Sequence, residues 1–272
     1  VLLYDLDRKE QLMIKKIAVL IFTCLFAMTA LSGCAYWEGY SKSQCKQLVA
    51  DALEEKYGEE FVVVDVGTKS AGAYYSSGLL TATCHSKDDN TLYFEAEYFE
   101  YGKGSYELDD LYIQSIVRKQ IKDIIDPVLA EHFDDFATEV YIYGLAPDYD
   151  AGIRNPDEVT IKSFSQAINQ NGKKNASIMW ILIEDSQTQS QDKMLEILSG
   201  FTKELYEMKT VIEVHYVPRD VLIECKNFIN DNIHDPNDIQ KYIRNKYLIQ
   251  EYYYVGSTQT LAFSKEYNYI EH

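Results

Sequence analysis

Basic residues are scarce in this sequence: 26 Lys and Arg stand against 43 Asp and Glu over 272 residues, a formal charge of −17. A field of that sign repels phosphate backbones, which excludes nucleic acid as a partner and leaves cationic peptides, basic protein surfaces and divalent cations. Also missing is an apolar run long enough to span a bilayer. The uncharged stretch Ile17 to Ala30 holds about 14 residues, against the ~20 of a spanning helix. There is no internal repeat and no low-complexity tract, which argues against solenoids and disordered tails. Cysteine is sparse, five in all, at spacings that match no zinc pattern. What remains is an ordinary globular balance, 46% hydrophobic and 25% charged, with enough chain for one large or two small domains.

The N-terminal segment is the most informative. Lys15 and Lys16 precede the apolar stretch, whose length suits a secretory signal, and Leu31-Ser32-Gly33-Cys34 closes it. That order of an aliphatic residue, two small residues and a cysteine resembles the lipobox of bacterial lipoprotein precursors. The resemblance implies cleavage between Gly33 and Cys34, with a diacylglycerol on the Cys34 thiol and further acyl chains making a durable membrane anchor. Tyrosine is abundant (23 residues), as are Ile, Lys and Asn. These residues have AT-rich codons, a bias shared with surface lipoproteins of Firmicutes. Residues 1–12 carry Asp5, Asp7 and Glu10 ahead of the signal, so translation is expected to begin at Met13, with Lys9-Glu10 encoding part of a ribosome-binding sequence. Removing residues 1–33, which hold four basic and three acidic side chains, leaves 22 against 40, a formal −18. Residues 34–42 then form a lipidated tether with Tyr36, Trp37 and Tyr40 suited to the membrane interface.

The remainder reads as α+β: a mixed or antiparallel sheet with helices packed on one side. A helix is expected from Ser43 to Tyr57, stopped by Gly58, then a β-rich run from Phe61 to Val66 and a loop from Lys69 to Gly78. Leu80, Ala82 and Cys84 alternate with polar neighbours, as do Phe94, Ala96 and Tyr98, which predicts an antiparallel meander with one wet face. A helix over Glu107–Ile125, kinked or restarted at Asp126-Pro127, and a strand at Val140–Tyr143 complete an α-β-β-β-α-β half. Residues 147–157 read as a linker between α+β subdomains 43–146 and 158–272, unless 43–272 is one composite domain. The second half is predicted to hold a helix at Glu158–Asn169, a buried strand at Ile178–Ile183, a helix bearing Met194, Leu198 and Phe201, and a strand Ile212–Tyr216. These make a parallel β-α-β unit. A helix at Val221–Ile229, a short one capped by Asp235-Pro236, and a hairpin from Leu248 to Phe263 follow.

Candidate chemistry is thin. Ser190-Gln-Asp-Lys193 matches S-x-x-K, as in penicillin-recognising enzymes, but Ser190 opens a helix, where a hydroxyl normally caps backbone N–H groups. Asp148, Asp150, Asp157 and Glu158 offer oxygen ligands to calcium without a full EF-hand register. His85, His132, His215, His234 and His272 are scattered. Glu213 and His215 share a strand face and could hold one metal between them, or simply be surface polarity. After Cys24 leaves and Cys34 is lipidated, Cys45, Cys84 and Cys225 are read as buried thiols, with a Cys45–Cys84 bridge as the competitor. The tyrosines and acids between Tyr93 and Tyr112, and the run Tyr252-Tyr253-Tyr254, are candidates to line a sugar- or peptide-binding face.

The reading that follows is a membrane-anchored, extracytoplasmic, non-catalytic binding module for a protein, peptide or small solute, with no cofactor beyond the lipid. A cell-envelope enzyme with a site assembled in the tertiary structure is the second reading. A solute-binding lipoprotein of a transporter is the third, weakened by limited βα alternation and small size for two lobes.

Overall fold

The computed structural model describes residues 39–69, 79–102, 105–143, 153, 155–170, 176–205, 208–231, 251–255 and 261–264. The signal segment, Cys34 with Tyr36 and Trp37, the expected loop after Lys69 and the expected helix after Pro236 lie outside them. Lys46–His272 forms one compact unit.

Helix α1, Lys42–Tyr57, begins at a capping box. The Gln44 amide N–H donates to the Ser41 hydroxyl, while Gln44 Oε1 accepts from the Ser41 N–H at 2.9 Å, so two otherwise orphaned donors are satisfied. It ends at Gly58, whose φ of 76° is the left-handed turn that a side chain resists. Four strands follow as an antiparallel meander in the order β1 (Phe61–Lys69), β2 (Leu79–Ser86), β3 (Tyr93–Gly102), β4 (Ser105–Asp110). Alternation does the sorting. Leu80, Ala82 and Cys84 on β2 and Phe94, Ala96 and Tyr98 on β3 are buried, while their odd-numbered neighbours from residue 81 to 101 are partly or fully exposed. One face of this sheet is wet, as expected.

The strand β4 was not expected. Glu107–Asp110 reads as the acidic first turn of a helix, yet Glu107, Leu108, Asp109 and Asp110 pair with Phe99, Tyr98, Glu97 and Ala96 of β3. The helix, α2 (Tyr112–Ala130), starts only after Asp110. The reason is tertiary. The Asp110 carboxylate, fully buried, accepts from Lys56 Nζ at 2.8 Å, from the Tyr57 hydroxyl at 2.9 Å and from the Tyr112 N–H at 2.9 Å. A buried charge needs such partners, and meeting them fixes the strand-to-helix corner. The first half is therefore α-β-β-β-β-α-β. Nor does α2 restart at Asp126: it runs through Pro127, and the Asp126 carboxylate accepts instead from the Thr138 hydroxyl. Its buried stripe is Ile113, Val117, Ile121, Ile125 and Leu129, spaced by four.

A second sheet has the order β5 (Phe136–Tyr143), β6 (Ala176–Glu184), β7 (Lys209–Val217), β8 (Glu251–Val255), β9 (Leu261–Ser264). β6 and β7 are parallel and the other neighbours antiparallel. The helices α3 (Ile161–Gln170), α4 (Gln191–Thr202) and α5 (Arg219–Asp231) connect or follow these strands. β5, which precedes the expected linker, pairs along its whole length with β6, which follows it. Both faces of β6 are dry: Ile178, Trp180 and Leu182 on one side and Met179, Ile181 and Ile183 on the other are at most 2% exposed. Each fully buried side chain of this size contributes roughly 1.5–3 kcal/mol. Ala137, on the Trp180 side, packs with Leu222 and Cys225 of α5. Its neighbour Thr138 meets α2 on the other. Helices thus cover both faces here, correcting the expectation of one side, because a parallel pair at the sheet's centre leaves no wet face. The whole is an α+β fold.

Asp110→Ala removes the buried carboxylate on which the Lys56 ammonium, the Tyr57 hydroxyl and the Tyr112 N–H converge, and is expected to lower unfolding free energy by about 3 kcal/mol. Urea denaturation measures this, and a loss under about 1 kcal/mol would show that the corner is held by something else.

Candidate binding face

The four-stranded sheet carries acidic and aromatic residues on one partly exposed face. Between β2 and β4 its open side presents Thr81, Thr83 and His85, then Tyr93, Glu95, Glu97, Phe99 and Tyr101, then Glu107 and Asp109. Four of those residues are acidic and none is Lys or Arg. Glu97 stands directly opposite Asp109, and Phe99 opposite Glu107. Like charges in cross-strand register concentrate negative potential on this part of the sheet. The rings of Phe99 and Tyr101 stack along the same strand at 6.5 Å and 14°, and the Tyr101 hydroxyl donates to Glu107. Beside Thr83 and Glu95, His85 meets Tyr93 edge to face at 5.0 Å. Of the five large apolar side chains that are exposed among the described residues, Val62, Val64, Tyr101 and Tyr106 all belong to this sheet. Val64 sits at a bulge in β1 and its carbonyl accepts from Lys46 Nζ, which blunts that edge of the sheet.

Other candidates fare differently. Tyr98 and Tyr112 do not line the open face. Tyr112 is buried in an aromatic cluster with Tyr57 at 5.1 Å, Phe61 at 4.9 Å and Phe94 at 5.0 Å, on the helix side of the sheet. Tyr253 is fully buried, so Tyr252-Tyr253-Tyr254 is in part core packing. Glu213 and His215 are likewise not surface polarity: both are wholly buried, because β7 is an inner strand with α5 over that face. Trp180 Nε1 donates to Glu213 Oε2 at 2.8 Å, and His215 Nε2 lies 3.8 Å from the same oxygen. Ser190 caps α4 through the Lys193 N–H, and Lys193 Nζ pairs with Glu196 at 3.0 Å, one turn away from any nucleophilic role.

Of the calcium candidates, Asp148 and Asp150 lie outside the described residues. Asp157 and Glu158 are exposed on a short 3₁₀ turn, where the Asp157 N–H and the Glu158 carboxylate bond to Asn155. Among the described residues no three His, Cys, Asp or Glu side chains converge on a metal position. Cys45, Cys84 and Cys225 are buried thiols. Burial, and then the nearby Asp110 charge, push the Cys84 thiol well up, which makes it a poor nucleophile. His234 and His272 are outside the described residues, and His132 lies exposed after α2.

No family model and no curated protein matches this chain. One solved structure is similar: a DUF5037 family protein from Ruminococcus gnavus ATCC 29149, at a TM-score of 0.55 over 80% of this chain and 94% of that one. At 18% identity the likeness is one of fold. It places the two-sheet arrangement among known architectures and carries no residue roles.

Sequence reasoning included Glu107 and Asp109 among the candidate acids between Tyr93 and Tyr112 but missed their strand positions opposite β3, having placed both on a helix. The signal that could have found them is the alternation of Tyr106, Leu108 and Asp110 with Glu107 and Asp109, which is a strand period as well as a helix start. Beside the face, at the sheet's edge, Tyr106 stacks on Tyr98 and donates to Glu55, and that hydrogen bond holds its phenol up at about 12. The folded state therefore binds this proton more tightly than the unfolded chain, whose tyrosines titrate near 10. The stabilisation is complete below about pH 10 and drains away as pH rises toward 12. Glu55→Gln is expected to return Tyr106 toward its ordinary value. Ultraviolet tyrosinate titration, taken as the difference from Tyr106→Phe, measures it. An unchanged midpoint in Glu55→Gln would contradict the assignment.

Proposed function

We propose that this chain is an extracytoplasmic lipoprotein, held on the outer face of the cell membrane by acyl chains on Cys34, whose folded part binds a basic polypeptide partner without catalysis. The anchor rests on the ordered signal, from Lys15 and Lys16 through the apolar stretch to Leu31-Ser32-Gly33-Cys34. The binding role rests on one observation above all: Glu97 faces Asp109 across the open side of the four-stranded sheet, with Glu95, Glu107 and the Phe99–Tyr101 ring pair around them.

Opposed carboxylates concentrate negative potential on this face, and a carboxylate forms a strong charge-assisted hydrogen bond with a Lys or Arg side chain that reaches it. The adjacent rings add a surface on which a guanidinium or ammonium is attracted by the π face. Net negative charge steers a cationic partner in and turns nucleic acid away. It also pushes the folded part outward from an anionic bilayer.

Two experiments test the halves separately. With Cys34→Ala, labelled palmitate incorporation and partition into a detergent phase are expected to be lost, with the protein recovered from the medium. Retention on the membrane would sink the anchor. For the face, fluorescence anisotropy with a Lys/Arg-rich peptide is expected to show binding that weakens with salt. It should weaken at least about tenfold in Glu97→Lys with Asp109→Lys. Asp192→Lys with Glu204→Lys, exposed on and just after α4, should leave the affinity near wild type. Equal losses in both double variants would mean diffuse charge attraction and no docking face.

A further inference from the structure

A cavity of about 300 Å³ opens at the edge strand β5, between α2, the turn before β5 and α5. It is distant in chemistry from the acidic sheet face, because its walls carry both signs: Lys122 and Lys226 against Asp126, Asp134 and Asp135. In a chain this poor in basic residues, two ammonium groups around one small cavity are a concentrated resource. Ala137 and Ile229 contribute apolar wall between them. The volume corresponds to roughly ten waters of liquid, at about 30 Å³ each, and stands at the lower end of small-molecule sites.

The polar groups are positioned but not used up. Lys226 donates to Asp135, which leaves two of its three N–H donors. Lys122 donates to the Thr138 carbonyl and lies 3.6 Å from Glu139. Asp126 takes the Thr138 hydroxyl on Oδ1 and keeps Oδ2. Asp134 is held by its backbone N–H, which donates to Gln187 Oε1 at 2.8 Å, so its carboxylate makes no hydrogen bond among the described residues. Lys122 and Asp126 stand on α2 and Lys226 on α5, while Asp134 and Asp135 lie on the bend that leads into β5.

We infer that this cavity binds a small zwitterion of the α-amino acid class, its carboxylate on Lys226 and Lys122 and its ammonium on Asp134 and Asp126. A simple anion would enter against three carboxylates and a simple cation against two ammonium groups; a zwitterion satisfies both. A primary ammonium fits better than a quaternary one, because carboxylate acceptors want N–H donors, whereas quaternary ammonium groups are held by cages of aromatic rings. Among the described residues Phe136 is the one aromatic that lines it.

Isothermal titration calorimetry on the full chain in mild detergent tests this with the free α-amino acids, the matching carboxylic acids without the amine, and the matching amines without the carboxylate. At least one amino acid is expected to bind, with each half-ligand weaker by about tenfold or more. Lys226→Met should abolish binding and Asp134→Asn weaken it about tenfold, both with thermal midpoints near wild type, since both side chains lie at the surface. Should Lys226→Met fail to fold, Asp134→Asn alone decides. No heat with any amino acid up to about 10 mM, a carboxylic acid binding as well as its amino acid, or binding indifferent to Asp134→Asn each overturns the inference.

Discussion

Much of the first half turns on one carboxylate. Asp110 is buried at the corner where β4 ends and α2 begins, and its oxygens are met by the Lys56 ammonium, the Tyr57 hydroxyl and the Tyr112 N–H. A charge taken out of water is tolerable only with such company. Because two of its partners stand at the end of α1 and one at the start of α2, the same bond set ties both helices to the last strand of the meander. Both helices are thereby committed to one side of the four-stranded sheet. Glu95, Glu97, Phe99, Tyr101, Glu107 and Asp109 stand on the other side, partly or fully exposed.

The second sheet obeys a different constraint. Its central parallel pair, β6 and β7, has no face to spare, so polar residues there must find partners within the core. Trp180 and Glu213, register neighbours across that pair, do so by hydrogen bonding to each other. α2 is common to both halves, packing on β3 of the first sheet and β5 of the second. The acidic face and the two-signed cavity at β5 are thus carried on one frame while differing in charge character: one recruits cations, the other is balanced.

How much of this was legible in the sequence depends on the range of the information. The proposed anchor rests on a contiguous signal, four adjacent residues that resemble a lipobox. Period-two alternation marked β2 and β3, helical spacing marked α2 as a helix though not where it begins, and an unbroken apolar run marked β6 as buried on both sides. β4 was misread because acidic residues before an amphipathic run look like a helix start, and only the pull of Lys56 and Tyr57, more than fifty positions upstream, decides otherwise. Glu213 and His215 were misread because alternation says which residues share a face, not whether another helix covers it. The cavity was invisible for the same reason: Asp135 and Lys226, which form its one close ion pair, are separated by 91 positions. Cross-strand opposition of Glu97 and Asp109 is a fact of register, and register is set by pairing that no local pattern records.

The most direct measurement is chemical-shift mapping of a Lys/Arg-rich peptide onto the isotopically labelled protein. If the open side of the four-stranded sheet is the docking surface, the largest perturbations will fall on Glu95, Glu97, Phe99, Tyr101, Glu107 and Asp109 and fade as salt is added. Perturbations spread evenly over the acidic surfaces of α4 and α5, or confined to the walls of the β5 cavity, would contradict a binding role for that face.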